Sequence, residues 1–320
     1  MLCFDKLKLI TSINNIKDID TNEFDTNSKK GIIRYDTYQQ KIPSLLISAK
    51  YQHDELVIVF TSKILKDNFI HLINKNNIRE CLENINQLNI CKLDIDAIIS
   101  NSLVVICDVA KDIYIQDMDM DMEALKNYTN FNLGNHSKWK QINHRNGFTL
   151  HNTCTTLRSK KRMIIYNKEK ELERAENELF LNSLSDKDKC LLHFRNKIRI
   201  ERNLKSAEQI RKELQIPDNQ LMSVLNSDAN PILAMFNEAL KEIPTNIKKY
   251  HSITDYKNEL VLRDCDFDVS KVEAKMRSLY SKNTQIAAVM KPFRELHQRL
   301  QQNDNTPLFD IRNLVVSVKE

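Results

Sequence analysis

Three polar side chains stand on segments that otherwise read as strands: Asp108 in LVVICDV, Tyr166 in KRMIIYNKEKEL and Glu201 in IRIERNLKS. A carboxylate flanked by Val105, Ile106 and Val109 is costly to ionise unless it is paired or coordinated, so Asp108 requires a cation. A structural salt bridge to Arg199 or Arg202 would supply one, as would a metal ion, and Glu201, beside the same arginines, poses the same choice. Tyr166 taken alone reads as a half-buried core tyrosine. As a nucleophile, a phenol with a pKa of about 10 needs a cation or base beside it, which Lys168 would provide from the start of the following helix.

The elements that must position these groups are mixed. Residues 2–10, 44–48 and 55–60 read as strands, and residues 63–74 have helical spacing through Ile64, Leu65, Phe69 and Leu72. Residues 103–109 form a buried strand by their β-branched content. The run QDMDMDME, residues 116–123, reads as an acidic helix start or an exposed insertion, since it lacks the glycine and distal glutamate of a calcium loop. Residues 143–156 are polar and turn-like, residues 161–166 form a short strand, and residues 168–182 form an amphipathic helix with Leu172, Ala175, Leu179 and Phe180 on one stripe. Residues 197–202 alternate, placing Ile198 and Ile200 toward a core and Lys197, Arg199 and Glu201 on the opposite face. Beyond Ser206 the pattern is helical. Residues 206–226 make two short segments about a turn at Pro217, a spacing that suits a helix-turn-helix and ordinary helical hairpins alike.

The chain has 320 residues, enough for one large or two ordinary domains. Its 48 Lys and Arg against 43 Asp and Glu leave a net charge of only +5. The distribution says more: between Arg158 and Lys212 sixteen bases face nine acids, a local excess of seven. A charge-dense solvated helix accounts for part of it, and a phosphate-binding surface accounts for the bases on predicted strands. Seven scattered cysteines with no C-x-x-C pair argue against disulfides and thiolate zinc, and fit a reducing cytosol. The longest apolar run, residues 103–107, is too short to span a bilayer, so a cytoplasmic chain with no membrane partner is expected. No G-x-x-x-x-G-K-[ST] loop is present.

The segment KRMIIYNKEKEL resembles the tyrosine motif of the gene II family of phage and plasmid replication proteins: a strand ending in Tyr, then Lys two residues on, then Glu-Leu. IRIERNLKS resembles the arginine-glutamate strand that follows in that family, LVVICDV stands where the family has a strand bearing an aspartate, and LVIVFTSKILKDNF, residues 56–69, resembles its earlier strand-serine-lysine-helix element. The likeness covers roughly residues 56–206 and fades in the helical tail. Two departures stand out: Cys107 precedes the aspartate where an arginine context is usual, and the histidine-hydrophobic-histidine metal triplet of many other rolling-circle initiators is missing.

The resemblance implies an α+β fold, an antiparallel sheet with packed helices, in a nicking domain over residues 1–206, followed by a helical and possibly DNA-binding domain over residues 207–320. It implies a rolling-circle initiator that nicks one strand of origin DNA, single-stranded or extruded as a cruciform, with Tyr166 as nucleophile and Lys168 beside it. Mg²⁺ or Mn²⁺ would be held by Asp108 and Glu201, with His151 as a third ligand and an exposed bystander as the alternative. Arg158, Lys160, Lys161, Arg199 and Arg202 would contact phosphates. Tyr114 and Tyr128 remain alternative nucleophiles, and a host helicase and polymerase are implied partners. The competing readings are a non-catalytic duplex-binding initiator or repressor, and a mobilisation relaxase or single-strand transposase with the same chemistry.

Overall fold

Strands rich in Val, Ile and Leu bury one face by alternation, and here they zip into a single broad sheet. The computed structural model describes residues 1–27, 32–35, 45–134, 137–156, 159–241, 253–280, 283–304, 311–312 and 315. In chain order the strands are β1 (Phe4–Thr11), β2 (Ile16–Ile19), β3 (Asp25–Asn27), β4 (Ile32–Tyr35), β5 (Leu46–Lys50), β6 (Glu55–Thr61), β7 (Cys91–Leu93), β8 (Leu103–Tyr114), β9 (Trp139–His144), β10 (Gly147–Asn152), β11 (Arg162–Asn167) and β12 (Lys197–Leu204). Among the described residues, ten of them form one sheet in the order β3-β4-β5-β6-β1-β8-β12-β11-β10-β9, and its neighbours pair antiparallel. β2 and β7 make a separate pair.

The helices are α1 (Ile78–Asn86), α2 (Ile95–Asn101), α3 (Met118–Phe131), α4 (Lys168–Leu172), α5 (Glu178–Asn182), α6 (Lys187–Phe194), α7 (Ala207–Leu214), α8 (Leu221–Leu225), α9 (Pro231–Ala239), α10 (Ile253–Arg263), α11 (Val269–Leu279) and α12 (Asn283–Asp304). One sheet face, with Cys107, Phe148, Leu150, Met163, Ile165, Ile198 and Ile200 buried along it, is covered by α3, α7 and α9. The other face is covered over part of its area by Phe69, Leu172, Phe180, Cys190 and Phe194. Each such side chain taken from water contributes about 1.5–3 kcal/mol. The architecture is α+β, an antiparallel sheet with packed helices.

Several elements differ from their sequence expectation. The helix expected over residues 63–74 is a 3-10 stretch, Ser62–His71, kinked where Lys66 adopts a φ of 51°. The helix expected over residues 168–182 breaks after α4 because Asn177 turns its amide onto the Glu171 carbonyl at 2.6 Å, offering the backbone a partner outside the helix. Leu179 is left 62% exposed, while Leu172 and Phe180 are buried. Residues 143–156, read as turn-like, contain most of the β9–β10 hairpin. The acidic run does start a helix: Asp117 accepts from the Met120 N–H at 3.0 Å, and Asp121 accepts from the amides of Gln116 and Asp117.

The chain divides into two compact units, residues 1–241 with 311–320, and residues 242–310. The boundary expected at 206/207 is therefore displaced, because α7 and α9 pack on β8 and β12 and complete the core of the first unit. The second unit holds α10, α11 and α12 around Leu262, Val272, Met290, Phe293 and Leu296. α8 is too short and too buried to present a reading surface: Leu221, Val224 and Leu225 of its five residues are buried, and the Leu221 amide bonds the Ser102 carbonyl at 2.9 Å.

Candidate active site

Strand register decides which side chains meet. On β11 and β12 Tyr166 stands opposite Arg199, Ile164 opposite Glu201 and Arg162 opposite Asn203. On β12 and β8 Arg199 stands opposite Asp112, Glu201 opposite Ala110 and Asn203 opposite Asp108. Directly opposed residues share a face, so Tyr166, Glu201 and Asp108 all project from the same side of the sheet.

The Tyr166 hydroxyl donates to Glu201 Oε1 at 2.5 Å. Lys168 Nζ lies 3.5 Å from the same phenol oxygen and donates to Glu171 Oε2 at 2.7 Å. Below them the Arg199 guanidinium is fully buried, donating from Nε and Nη2 to Asp112 and from Nη1 to Asp5, each at 2.7 Å. Its central carbon lies 5.4 Å and 5.3 Å from the ring centroids of Phe69 and Phe194, which adjoin each other. Asp5 also accepts from the Ser62 hydroxyl at 2.8 Å, and Lys63 donates to Asn177 at 2.6 Å.

The cluster thus sets three cations, Lys63, Lys168 and Arg199, against four carboxylates, Asp5, Asp112, Glu171 and Glu201. Burial works to raise Asp5, but Arg199 and Lys168 prevail and hold it below the usual carboxylate range. Glu201 has no such cation in contact; burial and then the charge of Asp5 push it up to about 7. Burial beside Glu201 also holds the Tyr166 phenol well above its ordinary range. The phenol is therefore not ionised in advance, as a cation alone would require, but is bonded to a carboxylate suited to take its proton as it reacts.

A cleft of about 500 Å³ opens over this pair, lined by Tyr166, Glu201, Ile164, Glu171, Arg174 and the hairpin turn from His144 to Gly147. The turn is pinned by the Asn167 amide, which donates to the Asn146 carbonyl at 2.9 Å. Gly147 is paired directly with Tyr166, and a Cβ there would sit 2.1 Å from the Ile165 carbonyl oxygen and 2.7 Å from the Tyr166 Cα. Because the obstacle is backbone, Gly147→Ala is expected to cost roughly 1–3 kcal/mol through forced strand displacement. Thermal unfolding of the variant checks this, and an unchanged midpoint would show that the pairing has slack.

The other expected residues fall variously. Asp108 is a diagonal neighbour of Glu201, and Asn203 Nδ2 donates to it at 2.8 Å; it pairs with neither Arg199 nor Arg202. Burial raises its pKa, with Asn203 and Lys6 working against the shift. His151 is not brought to these acids: it stands on β10, opposite Arg162 and two strands from β12, and its Nδ1 meets the Asn152 carbonyl at 3.0 Å. Arg199 and Arg202 cannot meet phosphates as expected, since both are fully buried; Arg202 forks onto Glu213 and caps the carbonyls of Arg162 and Asn203. Lys161 pairs with Glu238, Lys160 is exposed, and Arg158 lies outside the described residues. Tyr114 is 61% exposed at the end of β8, and Tyr128 lies on α3, where Arg312 donates to its hydroxyl at 3.4 Å.

The sequence reading missed Asp5, Asp112, Glu171 and Gly147. Only Gly147 carried a local signal, the Asn-Gly pair between alternating segments that marks a hairpin, although the turn itself is Arg145–Asn146 and Gly147 pairs with His144.

Mg²⁺ commonly keeps several waters and binds through one or two carboxylates plus substrate phosphates. Asp108 and Glu201 fit that pattern: they share a face as diagonal neighbours, and both are raised by burial, hence short of positive charge. Among the described residues no group of three His, Cys, Asp or Glu forms a closed cage, so the fit is to a shared, substrate-completed ion.

No protein-family model matches the chain, and no curated protein matches it. Among solved structures it is similar to the rolling circle replication initiator protein from Geobacillus stearothermophilus, at 12% identity and a TM-score of 0.38, over 77% of this chain and 89% of that one. So distant a likeness carries no weight in assigning an activity to this chain. Among the described residues no helix is long and apolar enough to cross a membrane.

Proposed function

We propose that this chain is a cytoplasmic rolling-circle replication initiator that nicks and rejoins one DNA strand at an origin through a covalent 5′-phosphotyrosine on Tyr166. The observation that supports this reading is the Tyr166 phenol bonded to Glu201 at 2.5 Å, with the Lys168 ammonium 3.5 Å from the same oxygen, in a cleft. The phenol oxygen attacks the scissile phosphorus and its proton passes to Glu201. The bond to the 3′ oxygen breaks, that oxygen takes a proton from water, and the 5′ phosphate stays on Tyr166. Lys168, oriented by Glu171, offsets charge on the phenol oxygen during attack. A Mg²⁺ or Mn²⁺ held by Asp108 and Glu201 would polarise the phosphate and stabilise its oxygens. The freed 3′ hydroxyl would prime a host polymerase, with a host helicase opening the duplex ahead, and no nucleotide hydrolysis is needed.

The test is a supercoiled plasmid carrying its own origin, incubated with the protein and Mn²⁺, followed by protease digestion and mass spectrometry of the DNA-linked peptide. The adduct is expected on Tyr166; an adduct on Tyr114 or Tyr128 overturns the assignment. Loss of nicking with retained duplex binding would favour a non-catalytic initiator or repressor.

Glu201 accepts a proton only when ionised. In the metal-free protein its pKa is raised to about 7, and an ion held on the same carboxylate would lower it, so at limiting Mn²⁺ single-turnover cleavage should climb as pH rises through about 7 and level off above it. A rate that is flat across that window removes Glu201 as the base.

A further inference from the structure

Arg199 and Arg202, expected to grip phosphate, are spent inside the fold, so they do not hold a substrate in the cleft. Two exposed arginines from different elements line the cleft with the reactive pair. Arg145 sits in the β9–β10 turn, and its side chain has no ion-pair partner among the described residues. Arg174 leaves the end of α4, with a contact of only 3.7 Å to Glu176 between two side chains each more than half exposed. Both line the cleft whose floor is Tyr166 and Glu201. They add positive charge beside a floor where Lys168 offsets Glu171 and Glu201 only in part.

Beside the reactive pair the same sheet face carries two isoleucines on either side of Thr149. Ile142 is 49% exposed and stands opposite Thr149, which stands opposite Ile164, itself half-buried in the cleft wall. A cleft of about 500 Å³ is the size of a small-ligand pocket, with room for one extruded nucleotide and not for a duplex about 20 Å across.

We propose that Arg145 and Arg174 form a clamp on the phosphates flanking the scissile bond of an unpaired DNA strand, with Ile142 and Ile164 as the apolar shelf for the adjoining base. This rests on the strand-cleavage reading and names how its substrate is held. The clamp favours single strands because an unpaired base reaches the shelf without the cost of being unpaired from a duplex.

The test is fluorescence anisotropy of a labelled single-stranded oligonucleotide with the full chain carrying Tyr166→Phe, so that binding is read without cleavage. Adding Arg145→Ala and Arg174→Ala together should weaken binding roughly tenfold and make the log affinity against log salt slope shallower by about 1.4, two contacts at about 0.7 each. Lys212→Ala, exposed on α7 behind the sheet, should leave both unchanged. An unchanged slope in the double variant, equal losses in Lys212→Ala, no binding of single strands, or tighter binding of a blunt duplex through the same arginines each overturns the clamp. Its failure is separable from failure of the cleavage reading: a protein that binds through the clamp yet forms no adduct with Tyr166 intact loses only the chemistry.

Discussion

Replacing Tyr166 with phenylalanine is expected to abolish the covalent protein–DNA adduct and to lower strand cleavage by at least about a thousandfold, while oligonucleotide affinity stays within a few fold. The substitution removes one oxygen and leaves the ring against the neighbouring strands, so the fold has no reason to change. It deletes the nucleophile and the 2.5 Å bond to Glu201 together. Glu201→Gln keeps the phenol and removes the proton acceptor together with one of the two proposed metal ligands, so cleavage should fall by about a hundred- to ten-thousandfold and lose its rise through neutral pH. Denaturing gel electrophoresis of the adduct reads both. A Tyr166→Phe protein that still links to DNA would place the nucleophile elsewhere.

Arg199→Met should produce the largest loss of stability, about 3–5 kcal/mol, read from urea unfolding. The guanidinium satisfies Asp5 and Asp112 simultaneously from a position with no exposed surface, so its removal strands two carboxylates against each other. It also removes the cation that packs beside the adjoining rings of Phe69 and Phe194. Asp112→Asn introduced on the Arg199→Met background should recover part of the loss, because one stranded charge disappears. A shift no larger than about 1 kcal/mol, the scale of an exposed pair, would mean that the network is solvated.

Strand identity and polarity were legible wherever alternation was strong. β12 follows its expected alternation, but the face assigned to Lys197, Arg199 and Glu201 is covered too, and Arg199 and Glu201 are buried there. A single strand cannot announce that both its faces are covered. That is why Arg199 and Arg202 looked like phosphate contacts: a buried arginine and an exposed one have the same letter, and the distinction lies in Asp5, Asp112 and Glu213. Tyr166 and Glu201 were selected through resemblance to a known motif, and sheet register brings them into contact. Asp5 was invisible because FDKLKLIT resembles any charged strand, and its partner Arg199 lies 194 residues away. His151 failed for the complementary reason: it lies on the shared face, displaced from Glu201 by register and by two strands.

The position of β1 between β6 and β8 affects how the protein is made. Asp5 must wait for Arg199, 194 residues downstream, and at about 5–20 residues per second the ribosome takes on the order of 10–40 s to deliver it. For about the first half of that interval, until β8 is complete at Tyr114, Phe4, Leu7 and Leu9, destined for full burial, lie on a strand with an unpaired edge. Synthesis therefore passes through a stage vulnerable to aggregation, and chaperone supply is expected to govern the soluble yield more strongly than the final stability does.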